Sequence, residues 1–165
     1  MELLDVYDDN GQRTGRIVER GSKDFKEGEH IAVAIIYIEN SNHEFLIQKT
    51  SEIKGGRYSS TGGHVDHGEE PIETIIREVE EELGIKVEKD EIVDLGFLLV
   101  DFPIRFIFYL NKDIDINDIT LQESEVESVS YMNIDKIREL TARGVMNEGH
   151  AKALEKVIEY KEKGM

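Results

Sequence analysis

The sequence contains no cysteine. That absence excludes disulfides, cysteine-ligated zinc, iron–sulfur clusters and thiol nucleophiles together, and it suits a reducing, cytoplasmic setting. A long apolar run is also missing. The longest, IAVAIIYI from Ile31 to Ile38, is far too short to span a bilayer, and the acidic start MELLDVYDD has neither the basic nor the apolar part of a signal peptide. Positive charge is scarce: 20 Lys and Arg stand against 36 Asp and Glu, for a net charge of −16. Such a surface repels nucleic acid and anionic membrane, so neither is expected as a partner. A small anionic substrate stays compatible where metal ions neutralise the encounter. Internal repeats, low-complexity tracts and Pro/Gly/Ser linkers are absent as well, so the 165 residues, 39% of them hydrophobic, are expected to fold as one domain spanning 1–165.

Within that length the elements can be placed by pattern. LLDVY, the turn DDNG and the segment from Thr14 to Arg20 read as a hairpin, in an N-terminal part of about residues 1–29 that packs on the rest, with Asn10-Gly11 as a two-residue turn. HIAVAIIYIE reads as a buried strand, and EFLIQK pairs back after the turn NSNH. Residues 92–101 and 103–110 form two more strands around Pro103, followed by a polar loop and the strand VESVSYM. Helical patterns cover roughly 71–84, 134–141 and 148–163. Strands and helices interleave without regular βαβ alternation, which places the chain in the α/β class with a mixed sheet and helices on both faces.

The stretch GGHVDHGEEPIETIIREVEEELGI, residues 62–85, carries the chemistry. Pro71 suits a first helical turn and Gly84 the position just past the end, while Ile72, Ile75, Ile76, Val79 and Leu83 recur as one apolar stripe. Seven glutamates lie between Glu69 and Glu82 against a single arginine, Arg77. Glu78, Glu81 and Glu82 are spaced i, i+3, i+4, so their carboxylates are neighbours whose like charges destabilise the helix. A solvated acidic face would intersperse lysines. Carboxylate oxygens crowded in this way are hard ligands that suit Mg²⁺ or Mn²⁺, and such ions in turn hold phosphates.

The same residues resemble the Nudix hydrolase family, whose box reads G-x(5)-E-x(7)-R-E-U-x-E-E-x-G-U with U aliphatic. Gly63, Glu69, Arg77, Glu78, Val79, Glu81, Glu82, Gly84 and Ile85 match it without a gap, at odds on the order of one in 10⁸ for the seven fixed positions. The resemblance implies the Nudix fold, an α/β/α sandwich around a mixed β-sheet. It also implies a pyrophosphohydrolase that cleaves a nucleoside diphosphate linked to another moiety X, with Mg²⁺ or Mn²⁺ as cofactor. A small-molecule nucleotide is the substrate so implied, a nucleoside di- or triphosphate or derivative, handled by a monomer or homodimer. Glu78, Glu81, Glu82 and the Gly62 carbonyl match the family's metal ligands; Arg77 and Glu69 look like the pair that orients them. Gly63 would let the loop pass tightly, and Gly84 would end the helix with positive φ.

The general base stays open between Glu78 and the later segment QESEVESVSYM, where Glu125 is favoured over Glu123 and Glu127. Glu78, Glu81, Arg77 and Glu125 are therefore the candidate catalytic residues. Lys49, Lys54, Arg57 and Arg105 are the cations placed to reach a phosphate. His30 and His64, together with LLDVYDDNGQRTG, resemble isopentenyl-diphosphate isomerase, a relative whose metal-ligand histidines stand at such positions; a histidine starting a strand is, however, more often structural. That enzyme has an essential cysteine where this chain has Gly62, so the isomerisation lacks its proton donor here. The chain looks like a hydrolase subgroup with an isomerase-like N-terminal region. A non-catalytic nucleotide-binding module is the remaining alternative, and such members usually lose the box glutamates that this chain keeps.

Overall fold

The apolar run around Ile31–Ile38 becomes the central strand of the protein in the computed structural model, which describes residues 2–99 and 102–163. Two strands, β1 (Leu3–Tyr7) and β2 (Arg13–Glu19), pair antiparallel as a separate hairpin. Seven others form a mixed sheet: β3 (Ala32–Glu39), β4 (Phe45–Thr50), β5 (Tyr58–Ser59), β6 (Thr61–His64), β7 (Val93–Leu98), β8 (Ile104–Asn111) and β9 (Val126–Met132). In its middle β3 runs parallel to β8 and antiparallel to β4 and β6, while β7 extends one side and β9 pairs with β4 on the other. Three helices complete it, α1 (Pro71–Leu83), α2 (Ile134–Ala142) and α3 (Glu148–Lys163).

The sequence of β3 explains why helices cover both faces. Successive side chains on a strand point to opposite sides, so a strand buried on both reads as a continuous apolar run. Ala34, Ile36 and Ile38 join the core that holds Ile75, Val79 and Leu83 of α1, whereas Ile35 and Tyr37 join the core that holds Ile137, Leu140, Leu154 and Val157 of α2 and α3. The result is the α/β/α sandwich around a mixed sheet that the sequence implies. No helix among the described residues is long and apolar enough to cross a membrane.

Helix α1 forms where its stripe and end signals place it. Glu70 and Glu73 close a reciprocal capping box at its start, with Pro71 in the first turn, where its missing N–H costs nothing. Gly84 stops it at φ 68°, in the left-handed region, with its N–H on the Glu80 carbonyl at 2.9 Å.

Other expectations shift. The hairpin loop runs from Asp8 to Gln12 instead of turning on Asn10-Gly11 alone, because the Asp8 carboxylate accepts from the backbone N–H groups of Asn10 at 2.8 Å and Gln12 at 3.0 Å. Two short strands, β5 and β6, form where no strand is expected, the second of them at Gly63, where a loop is expected. Val100 and Asp101, the end of the strand expected over 92–101, lie outside the described residues. The β1–β2 hairpin is tied to the loop before α1: Asp5 accepts from the His67 ring at 2.8 Å and the Gly68 N–H at 2.9 Å, and Arg13 donates to the Glu69 carbonyl at 2.6 Å.

Candidate active site

Helix α1 packs against β6 and β3, and Glu82 in its C-terminal half reaches Gln48 of β4. Glu82 is buried, with 6% of its surface exposed. Its Oε1 accepts from Gln48 Nε2 of β4 at 2.6 Å, and Gln48 Oε1 in turn accepts from the Thr61 hydroxyl of β6 at 3.1 Å. Burial, and then a hydrogen bond with the neighbouring Glu78 carboxyl, push the Glu82 pKa up from 4.5 to about 9; the Gln48 donor works in the opposite direction.

Glycine 63 leaves the room that this pair needs. It sits on β6 opposite Ala34, and a Cβ there would stand 2.4 Å from Glu78 Oε1, so only glycine lets the carboxylate approach so closely. Gly62 is its neighbour on the same strand, opposite Ile35.

Arg77 gathers the remaining acids. It grips Glu69 through Nε to Oε2 at 2.8 Å and Nη2 to Oε1 at 2.9 Å, and Nη1 reaches Glu78 Oε1 at 3.0 Å and Glu81 Oε2 at 3.3 Å. Asp66 lies 3.4 Å from Nη2. Glu69 is further held by the buried Thr74 hydroxyl at 2.6 Å. Burial alone would raise the Glu69 pKa, but the bonds from Arg77 and Thr74 outweigh it and hold the carboxylate below its ordinary range. The like charges of the helix are thus partly neutralised by one guanidinium. Glu81, whose side chain is 47% exposed, pairs with Arg77, while the buried Glu82 faces the charges of Glu78 and Glu125.

The donor set suits a hard divalent cation in its chemistry: Glu82 and Glu78 are oxygen donors pressed together, and the burden that favours a proton on Glu82 is one a cation relieves. Among the described residues no three His, Cys, Asp or Glu side chains stand together at metal-holding spacing. Glu78 and Glu81 are each bonded to Arg77.

The later candidates divide. Glu125 stands close enough to Glu82 for its charge to raise the Glu82 pKa further, and Lys54 pairs with it at 3.4 Å. Glu127 instead pairs with Lys49 at 3.2 Å, and Glu123 is exposed in the turn before β9. Arg57 donates to the Gly144 carbonyl at 3.3 Å. Arg105 packs against Gly149, where a Cβ would stand 2.4 Å from its Nε. His30 is occupied at both ring nitrogens, with Nδ1 on the Phe102 carbonyl at 2.8 Å and Nε2 on Asp9 at 2.6 Å. His64 lies opposite Val33 on β6, and burial, with the Arg20 charge, lowers its pKa.

Gln48, Thr61, Thr74 and Arg13 escaped the sequence reading. Gln48 had a signal: it shares a strand face with Leu46, which is buried in the α1-side core, so a polar side chain there needs a partner.

A family model described as NUDIX domain matches residues 28–157. Among curated proteins, the chain is 30% identical over 154 residues to an uncharacterized Nudix hydrolase of Listeria monocytogenes, covering 87% of each. It is 26% identical over 113 residues to the NAD-capped RNA hydrolase NudC of Pseudomonas aeruginosa, covering 68% of this chain and 40% of that one. Among solved structures, a protein from Deinococcus radiodurans superposes with a TM-score of 0.76 at 17% identity, over 92% of this chain and 96% of that one.

Proposed function

From the premise that the chain belongs to the NUDIX domain family, we propose that it hydrolyses the diphosphate linkage of a small nucleoside di- or triphosphate or derivative, in a Mg²⁺- or Mn²⁺-dependent reaction. The observation that carries this reading is the buried Glu82 and its neighbour Glu78, set against the Cβ-free Gly63 at the heart of an unbroken box. A structural helix would gain nothing from burying a carboxylate beside another, because desolvation and repulsion both oppose it.

Glu78, Glu81 and Glu82 with the Gly62 carbonyl would hold the cation, which supplies charge neutralisation of phosphoryl oxygens and a more acidic water when bound. Arg77 and Glu69 fix the orientation of the glutamates from behind. Glu78 is engaged by Arg77 and Glu82, which leaves Glu125, restrained by Lys54, as the group that takes the proton of the attacking water. Water adds to one phosphorus as its P–O bond to the bridging oxygen breaks, and two phosphorylated products leave.

The name of the NudC relative supports a nucleotide-containing substrate, while the net charge of −16 opposes binding along a polyanion. The whole of 1–165 acts as one domain in this reading, its N-terminal hairpin braced on the box by Arg13 and Asp5 and related to the isomerase-like subgroup. The isomerase reaction is disfavoured, because the chain has no thiol and both ring nitrogens of His30 are taken. The test is product release from a panel of nucleoside diphosphates, triphosphates, ADP-ribose, dinucleoside polyphosphates and coenzymes, with Mg²⁺ and with chelator. Turnover that persists in chelator, or full activity of Glu82→Gln, would refute the proposal.

A further inference from the structure

Gln48 enters the carboxylate cluster from the sheet, and its amide is fixed at both ends. Thr61 donates to Oε1 at 3.1 Å while Nε2 donates to Glu82 Oε1 at 2.6 Å. All three side chains are buried, at 2% exposure for Thr61, 4% for Gln48 and 6% for Glu82. The amide therefore has one orientation that serves both neighbours, because turning it over would set its carbonyl oxygen against a carboxylate oxygen. Thr61 directly precedes Gly62 and Gly63, so the strand that closes on Glu78 also anchors the amide that holds Glu82.

A neutral donor in this position does something that a lysine or arginine would not. It occupies one oxygen of Glu82 without bringing a positive charge, so a cation that displaces the proton shared with Glu78 would meet the other oxygen, Oε2. We infer that Gln48 is a positioning residue that limits Glu82 to one-oxygen ligation and thereby selects Mg²⁺ or Mn²⁺ over Ca²⁺. The inference rests on the reading of Glu82 as a metal ligand given above. The selection follows from coordination chemistry. Ca²⁺ accepts six to eight oxygens and commonly takes two from one carboxylate, whereas Mg²⁺ demands near-octahedral geometry and is bound through one or two carboxylates with waters. A glutamate with one oxygen already engaged suits the second ion better than the first.

The experiment measures metal binding without substrate on the full chain, by the electron paramagnetic resonance signal of Mn²⁺ and its displacement by Mg²⁺ and by Ca²⁺. Wild type is compared with Gln48→Met, which keeps volume but offers no donor, and with Thr61→Val, which removes the anchor of the amide. In Gln48→Met the ratio of Ca²⁺ to Mg²⁺ affinity should rise by roughly 10-fold, the lower end of what losing a residue that orients a ligand costs. Thr61→Val should move it the same way by less. An unchanged ratio in a variant whose thermal melting shows it folded, or an equal weakening for both cations, would overturn the role of Gln48. Should Gln48→Met fail to fold, the ratio in Thr61→Val decides. Failure of the wild type to bind Mn²⁺ at all would overturn the metal-site reading itself, and the inference with it.

Discussion

Arg77 and Glu69 meet through two parallel hydrogen bonds, of 2.8 and 2.9 Å, so that a residue ahead of α1 and one in its middle form a single planar unit. A fork of this kind carries orientation as well as charge. Lysine keeps the charge and loses the plane. Arg77→Lys should therefore lower kcat by about 10–100-fold, the range for residues that orient metal ligands, while circular dichroism stays as in the wild type. Steady-state kinetics with saturating Mg²⁺ checks this, and an Arg77→Lys enzyme of normal kcat would reduce the pair to an ordinary ion pair.

Glu82 makes the metal-free protein sensitive to pH. Its pKa is raised from 4.5 to about 9 on folding, so the folded state holds a proton that the unfolded chain has lost over that interval. The stability it contributes is fully present below about pH 4.5 and falls away as pH rises toward 9. In chelator, Glu82→Gln should flatten this decline and melt several degrees above the wild type at pH 8, since a chain of this size shifts about 2–4 °C per kcal/mol. Glu81→Gln should differ from wild type by less than about 1 °C, because the exposed carboxylate loses an Arg77 contact as it sheds its repulsion. Thermal scans in chelator across pH distinguish the two. Equal shifts in both variants would mean that the repulsion is spread over the helix and not stored at Glu82.

Gly63→Ala tests the close approach to Glu78. The added Cβ would lie 2.4 Å from Oε1 and 2.5 Å from the carboxyl carbon, so the side chain of Glu78 has to move. Gly63 is not among the residues with positive φ, and backbone strain is not at issue. The variant should keep its fold to within a few degrees and lose at least about 10-fold in Mn²⁺ affinity, as expected when a ligand is displaced. A titration calorimetry curve that matches wild type would show that Glu78 does not need that position.

How far the sequence disclosed this site depends on the range of each signal. Helix α1 was legible because its apolar stripe, Pro71 and Gly84 are local, and local signals set local structure. The Arg77–Glu69 pair follows from the box spacing. The contact between Gln48 and Glu82 spans 34 residues, and nothing on the helix alone says which flank of the glutamate cluster turns toward β4. The strands β5 and β6 went unread because YS and TGGH are too short and too glycine-rich to show a two-residue period; pairing with β3 and β4 creates them. The five-residue hairpin loop was set by the Asp8 side chain, a competitor to the Asn-Gly turn that composition does not rank.

His150 opens a second pH window on the opposite side of the sheet. Its Nδ1 hydrogen-bonds the buried Ser60 hydroxyl at 2.7 Å, and Tyr37 donates to its carbonyl. Burial, and then the Arg105 charge, lower its pKa from 6.5 to about 3, so the folded protein keeps the ring neutral while the unfolded chain protonates. A depressed pKa of this kind contributes stability that is present above pH 6.5 and is lost as pH falls toward 3. Over the first part of that interval, from about pH 6.5 to pH 5, one proton taken up on unfolding costs up to roughly 1.4 kcal/mol per pH unit. The wild type should accordingly lose several degrees of melting temperature between those pH values beyond what His150→Phe loses. Comparing the two proteins subtracts the other histidines, His64 included, because they titrate in both. Ser60→Ala, which removes the partner of Nδ1 and leaves the ring buried, should retain the same slope at a lower overall melting temperature. If wild type and His150→Phe descend in parallel, the imidazole is protonated in the folded protein and the junction of α3 with β6 admits charge.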